Sequence, residues 1–313
     1  MPISHPDKVF YPDDGLTKGD VVEHYRTVAS AMLPHLRGRP LTLRRYPDGI
    51  AAQGWFQKHP SEHFPSWLRT ERVPRSGGGT DEYVVCDDED SLLYLADQGT
   101  VEFHVWLSTV DAPEKPDLLV LDLDPPDGTD VADLRTAARR IRDHYADAGL
   151  TAYLQATGGR GFHVAAPLDA TAPTDVVLEL SRALADRVAS ADPDQLTTAQ
   201  RKDQRGDRIF VDANRNGYAQ TFVAPYSLRA RPGAASATPL DWAELGKAEP
   251  NGWVRTNCTG GWRARTTRGG ESGRTPDRRR RRWRSSAEVA RRAALSQCRT
   301  CVAGFAVREG NPH

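Results

Sequence analysis

Apolar positions between residues 1 and 250 follow two periods. From Thr17 to Pro34 they recur at helical spacing, through Val21, Tyr25, Val28 and Met32, the stripe of an amphipathic helix. Thr17 and Asp20 form a capping-box-like start, and Pro34 is expected to stop the helix. Short apolar runs at 41–46, 83–86, 101–107, 118–124, 151–155, 162–166, 208–212 and 220–223 are expected to be strands. Further helices are expected near 91–97, from about Val131 to Gly149, where glycine is the usual C-terminal stop, and from Pro173 to about Ala189. Strands alternate with helices, so the fold class is α/β (α+β), a mixed sheet flanked by helices.

Residues 251–313 differ in kind. They carry Arg and Gly runs, little apolar periodicity and no strand signal. The expected division is therefore a catalytic domain at 1–250 and an Arg-rich tail at 251–313. The tail holds fifteen Arg, no Lys and four acids, a net +11, which leaves −11 for the rest of a chain whose formal net charge is zero. Like-charge blocks such as Arg278–Arg282 cannot pack. Disorder or a shifted reading frame is preferred to a selected nucleic-acid-binding tail. Cys298 and Cys301 have no second Cys/His pair nearby, so zinc is not expected there. Four cysteines in 313 residues do not make a disulfide framework. No run approaches the ~18 apolar residues of a membrane span and no basic-then-apolar leader opens the chain. The expectation is a cytoplasmic protein with no membrane association.

The sharpest chemical feature is Leu118-Leu-Val-Leu-Asp-Leu-Asp-Pro125. Alternate residues of a strand share a face, so Asp122 and Asp124 point the same way and Leu121 and Leu123 the other. Two adjacent carboxylates repel unless a cation neutralises them, and hard oxygen ligands favour magnesium or manganese. The bland alternative is an acidic strand end in solvent. Arg208-Ile-Phe-Val-Asp212 ends a second apolar strand on a third carboxylate. Three acids suffice for two metal ions when triphosphate oxygens and water complete the shells.

Thr157-Gly-Gly-Arg-Gly-Phe-His163 lies between two expected strands. Glycines let backbone N–H groups approach phosphate. Gly158 would contribute to such a nest, to which Arg160 can add a charged fork and Thr157 a hydroxyl. A tight hairpin turn and a satisfied core histidine are the ordinary readings of the glycines and of His163. Their combination with a basic residue favours triphosphate binding.

In this order the three elements resemble the archaeo-eukaryotic primase-polymerase superfamily. The closer resemblance is to the polymerase domain of bacterial ATP-dependent DNA ligase D and its stand-alone relatives. It is carried by His5-Pro-Asp-Lys-Val-Phe-Tyr-Pro12, Thr17-Lys-Gly-Asp20, Leu36–Gly49, Leu118–Pro126, Thr157–His163 and Ala224–Gly233, and spans about residues 3–245.

The resemblance implies a template-dependent nucleotidyl transferase, acting at gaps and broken ends in non-homologous end joining, with two Mn²⁺ or Mg²⁺ ions and a nucleoside triphosphate as substrate. Asp122, Asp124 and Asp212 would be the catalytic metal ligands. His104, Thr157, Gly158, Arg160, His163 and Arg229 would hold the nucleotide. Lys8, Lys18 and Arg205 would meet a DNA 5′-phosphate, and Arg44, Trp55, Phe56 and Lys58 the template. Adjacent strand residues face opposite ways, so at most one of Trp55 and Phe56 would stack on template unless they lie in a loop. The implied partners are DNA with gaps or double-strand ends, a Ku-type end-binding protein and a separate ligase, for a monomer that is nucleoid-associated when on DNA. Thr157, Arg160 and Arg44 stand where the family commonly has Ser, Lys and Lys. Residues from 251 on carry no resemblance, and no Lys-x-Asp-Gly ligase motif is found, so nick sealing is not expected of this chain. The rivals are a catalytically inactive DNA-end bridging factor and a sugar-nucleotide transferase with an Asp-x-Asp motif.

Overall fold

The computed structural model describes residues 2–255 and 262–264. In chain order the strands are β1 (Val9–Tyr11), β2 (Leu16–Thr17), β3 (Leu41–Arg45), β4 (Trp55–Gln57), β5 (Thr70–Pro74), β6 (Thr80–Val84), β7 (Thr100–Trp106), β8 (Leu118–Asp124), β9 (Tyr153–Ala156), β10 (Phe162–Pro167), β11 (Leu196–Thr197), β12 (Ile209–Asp212), β13 (Thr221–Val223), β14 (Thr238–Leu240), β15 (Trp253–Arg255) and β16 (Trp262–Ala264). The helices are α1 (Lys18–Leu36), α2 (Glu89–Asp97), α3 (Val131–Asp147) and α4 (Thr174–Ser190). Among the described residues, no helix is long and apolar enough to cross a membrane.

Two sheets organise the molecule. One has six strands in the order β11-β12-β8-β10-β9-β14, and the other four in the order β13-β7-β3-β4. Only the β11–β12 pair of the larger sheet is parallel, so that sheet is mixed, as expected. Helices α3 and α4 cover one of its faces. Leu119, Leu121 and Leu123 of β8 pack there with Leu134, Ile141, Leu184 and Val188. The intervening residue Val120 faces the other way, into a second core built from α1, α2 and the four-stranded sheet. The same alternation carries Asp122 and Asp124 beyond Val120, off the helix-covered face. Arg39 ties the two layers at this point, with a bidentate pair to Asp117, both N–O distances 2.7 Å, the strongest geometry available to a guanidinium and a carboxylate.

The capping box of α1 forms as read. The Thr17 hydroxyl accepts from the Asp20 N–H, and the Asp20 carboxylate accepts from the Thr17 N–H. Pro34 does not stop the helix, which continues to Leu36. A proline in the last turn forgoes one backbone bond, and the helix ends within a turn in any case. The expected strand at 83–86 begins earlier, at Thr80, because it pairs with β5 around the Arg75–Gly79 turn. Residues after 250 also depart from expectation. β15 and β16 pair antiparallel, the Gly158 N–H donates to Pro250 O at 2.8 Å, and Ser236 N–H to Trp253 O at 2.9 Å. The segment at 250–253 therefore docks onto the glycine turn. The Arg278–Arg282 block and the Cys298/Cys301 pair lie outside the described residues.

Candidate active site

Strand register places three of the candidate side chains in one row. Asp212 of β12 is directly paired with Asp122 of β8. Asp122 is paired on its other side with His163 of β10, and His163 with Gln155 of β9. Directly paired residues point to the same side of a sheet, so Asp212, Asp122 and His163 line the floor of one cleft of about 250 Å³. Asp124, His104, Thr157, Arg160, Arg215 and Arg229 also line it.

The carboxylates are surrounded by cationic groups. Arg215 Nε lies 3.6 Å from Asp122 and 3.8 Å from Asp212. His163 Nε2 is 3.5 Å from Asp122. Burial works most strongly against ionising Asp122, but His163 and Arg215 outweigh it and hold its carboxyl below the usual range. Asp212 goes the other way: burial raises it and the charge of Asp122 adds to the rise. Asp124 is more exposed and turns toward Arg160 at 3.4 Å and Arg205 at 3.6 Å. Among the described residues no three His, Cys, Asp or Glu side chains already converge as metal ligands. The donor chemistry nevertheless fits a hard divalent cation. Asp122 and Asp212 share one positive charge, supplied here by Arg215, and hard carboxylate oxygens are the ligands magnesium and manganese take.

Arg215 was not among the sequence-read candidates. Its position is set by Asn216, a buried side chain that donates to Val120 O at 2.7 Å and accepts from Val120 N–H at 2.9 Å. That pair of bonds pins the turn after β12 to the middle of β8. No local motif announces it, since both partners are generic residues 96 positions apart.

The glycine turn is built by close approach. A Cβ on Gly161 would stand 1.8 Å from Leu123 O, and one on Gly158, whose φ is +67°, 2.7 Å from the Ser236 carbonyl carbon. Only glycine lets the turn press against β8 and the segment before β14. The Thr157 hydroxyl donates to Gly161 O at 2.8 Å and accepts from Gly159 N–H at 3.1 Å. In this arrangement it staples the turn. The Gly158 N–H is likewise taken by Pro250, so its part is to admit the turn rather than to donate to an anion. Arg160 reaches out from the turn tip toward Asp124 and Asp127. Arg229 donates to Thr157 O at 2.9 Å.

Behind the cleft wall lies Glu102, 1 % exposed. One oxygen accepts from Arg44 at 3.1 Å and from the Ala230 N–H at 3.0 Å. The other accepts from His104 Nε2 at 3.0 Å and faces Arg229 Nε at 3.4 Å. Burial, the largest influence, favours the neutral acid, yet these partners hold the carboxyl down to about 2. Burial lowers His104 in turn.

The family model for the LigD primase-polymerase domain matches residues 17–264. The chain belongs to that family. It is 36% identical over 251 residues to the multifunctional non-homologous end joining DNA repair protein LigD of Mycobacterium tuberculosis, an alignment covering 78% of this chain and 33% of that protein. It is 29% identical over 240 residues to the bifunctional non-homologous end joining protein LigD of Bacillus subtilis, covering 76% of this chain and 38% of that one. Among solved structures it is similar to the polymerase domain from Mycobacterium tuberculosis ligase D in complex with DNA, with TM-score 0.73, 34% identity, and coverage of 79% of this chain and 88% of that chain. The chain thus spans about a third of the length of the curated relatives it matches. The match continues through residue 264, beyond residue 250, after which no resemblance was expected, and it includes β15 and β16.

The remaining sequence-read residues fall into separate groups. Trp55 and Phe56 lie on a strand, not a loop, and are 48% and 57% exposed. They face opposite ways. Phe56 packs against His104 and under Arg44, on the cleft side, while Trp55 sits under Arg45. Lys58 is exposed just beyond. Lys8 is exposed and pairs with Asp48 at 2.6 Å. Lys18 is placed differently from Lys8. Its ammonium is turned inward, 2.9 Å from Asp97, and donates to Ser4 O at 2.7 Å; with its side chain 8% exposed it forms a buried ion pair. Arg205 donates to Ala199 O and Gln200 O, lies over the Phe210 ring and faces Asp124, which places it beside Asp124 and away from Lys8.

Proposed function

We propose that this chain transfers nucleotides from a nucleoside triphosphate to a DNA primer end, directed by a template strand, at gaps and broken ends. The observation that carries the reading is the row Asp212–Asp122–His163 across three hydrogen-bonded strands, at the floor of a cleft walled by Arg160, Arg215 and Arg229. The family membership and the end-joining names of the relatives support it. So does the DNA complex of the similar polymerase domain.

Asp122, Asp124 and Asp212 are the residues that would hold two Mn²⁺ or Mg²⁺ ions. Such ions lower the pKa of an attacking hydroxyl and stabilise charge developing on the phosphate. The chain's own residues supply the rest. Arg160 and Arg229 offer guanidinium forks to triphosphate oxygens. His163 has its Nε2 toward Asp122 and its Nδ1 3.3 Å from the Gln155 side-chain amide, which fixes its ring. Phe56, exposed beside Arg44, offers a stacking surface for an unpaired template base. Lys8 is the candidate contact for a downstream 5′-phosphate. Ribo- or deoxynucleotide substrates, a Ku-type partner and a separate ligase belong to the same reading.

The test is extension of a labelled primer in a gapped duplex. Incorporation should require a divalent ion, follow the template base, and rise with a 5′-phosphate on the downstream strand. Incorporation that ignores the template would favour a terminal or sugar-nucleotide transferase. None with either metal would favour a non-catalytic bridging factor.

A further inference from the structure

We infer that Glu102 is the residue that positions His104 and Arg229 for the incoming nucleotide. The inference rests on the cleft being a nucleotide site, as proposed above. Three features of the chain bear on it.

Glu102 joins three separate segments of the cleft wall. Arg44 stands on β3, His104 on β7, and Arg229 and Ala230 on the segment after β13, and all four meet one buried carboxylate. A carboxylate without partners does not survive at that depth. With four cationic or N–H partners it becomes a fixed point to which they are tied.

The contact also decides what His104 presents. A carboxylate only accepts, so the proton on the Glu102-facing Nε2 is committed to Glu102. A neutral His104 then presents Nδ1 as an acceptor, which suits a sugar hydroxyl of the incoming nucleotide and not a phosphate oxygen. Arg229 is held at its Nε side by Glu102 and donates through Nη1 to Thr157 O. Its guanidinium is thereby spread between the buried carboxylate and the glycine turn, and it lines the cleft. Phe56 packs edge-on against His104 at 5.7 Å and lies under Arg44 at 5.3 Å. The same carboxylate therefore also steadies the aromatic face offered to template.

Glu102 touches no substrate in this account, so its role has to be separated from simple structural support. Glu102→Gln keeps the shape and removes the charge, but its amide N–H₂ meets donors where the carboxylate met them. A non-reactive nucleoside α,β-methylene triphosphate with Mn²⁺ is titrated into the full chain, and primer extension is measured alongside. Losing a hydrogen-bonded charge from the positioning group should weaken analogue binding about tenfold or more. KM for nucleotide should rise with it, while kcat per folded molecule stays within about threefold. A merely structural role would lower the active fraction and leave KM where it was. Analogue binding by Glu102→Gln equal to that of the wild type overturns the inference. Should the variant fail to fold, the wild type still decides: histidine ¹⁵N NMR should show His104 protonated on Nε2 at neutral pH, and an Nδ1–H tautomer overturns it. A wild type that binds no analogue removes the nucleotide site itself, and that failure is seen before any variant is compared.

Discussion

Asp122 and Asp212 stand directly opposite each other on neighbouring strands, and a single guanidinium, that of Arg215, lies within 3.8 Å of both carboxylates. Two acids held in register share one cation. Replacing Arg215 by Gln removes that charge from between them. Mn²⁺ binding, followed by electron paramagnetic resonance, should tighten by a factor of a few, because a competing cation has gone. Weaker Mn²⁺ binding in Arg215→Gln would mean that Arg215 helps to build the site rather than compete for it.

The acid limb of stability should carry the signature of Glu102. Its carboxyl is held down to about 2 from an ordinary value of 4.5. A depressed acid contributes its stability above the unfolded value and loses it as pH falls through the folded one. Stability should therefore drop between about pH 4.5 and pH 2, by roughly 2–4 kcal/mol from this group. Urea melts of Glu102→Gln across the same range should lack that part of the slope, from a lower starting stability.

Two lysines ten residues apart should behave as opposites. Lys18→Ala leaves Asp97 buried without its ion pair, a change that typically costs about 3–5 kcal/mol, and the melting temperature should fall sharply. Lys8→Ala, at an exposed pair, should change stability by less than about 1 kcal/mol. Fluorescence anisotropy with gapped duplexes should show Lys8→Ala losing most of the preference for a 5′-phosphate. Equal melting temperatures for the two variants would contradict the placement of Lys18.

Phe56→Ala and Trp55→Ala should also separate. Phe56 shares its face with His104 and Trp55 does not. Loss of one aromatic–base stack costs about 1–3 kcal/mol. Phe56→Ala should weaken binding of a gapped duplex by that amount and raise nucleotide KM. Trp55→Ala should leave nucleotide KM unchanged.

At the glycine turn, Gly161→Ala drives a Cβ into Leu123 O and should prevent β10 from seating on β8. The chain should lose several kcal/mol, on the order of the largest single-residue effects. Gly77→Ala, where a Cβ meets nothing within 4 Å, should be neutral by thermal melt.

What could be read in advance divides along a physical line. β8 runs from Leu118 to Asp124 as its apolar run predicts, because both faces are buried between two cores until the strand's end, where one face carries Asp122 and Asp124. α1 begins where its capping box says, since that signal is local. The elements missed are short and lack a period of their own. β14 is three residues including Pro239, a strand because β9 offers it partners. β11 is two residues beside β12. Glu102 was visible only as a neighbour of His104, because its partners come from positions 44, 229 and 230. Arg205 and Lys18 were read from the resemblance alone, and their surroundings are set by Asp124 and Asp97, which no spacing in the chain reveals. The row Asp212–Asp122–His163 lies between these cases. Its members were legible one by one, and their register was not.

The most direct measurement compares incorporation with binding in Asp122→Asn and Asp212→Asn. Each substitution removes one charge from the row and keeps its shape. Single-nucleotide extension of a 5′-phosphorylated gapped duplex in Mn²⁺ should fall by roughly 10³-fold or more, as when a catalytic unit loses one member, while anisotropy shows the duplex bound within about threefold of wild type. Incorporation by either variant at near wild-type rate would contradict the assignment of catalysis to this row.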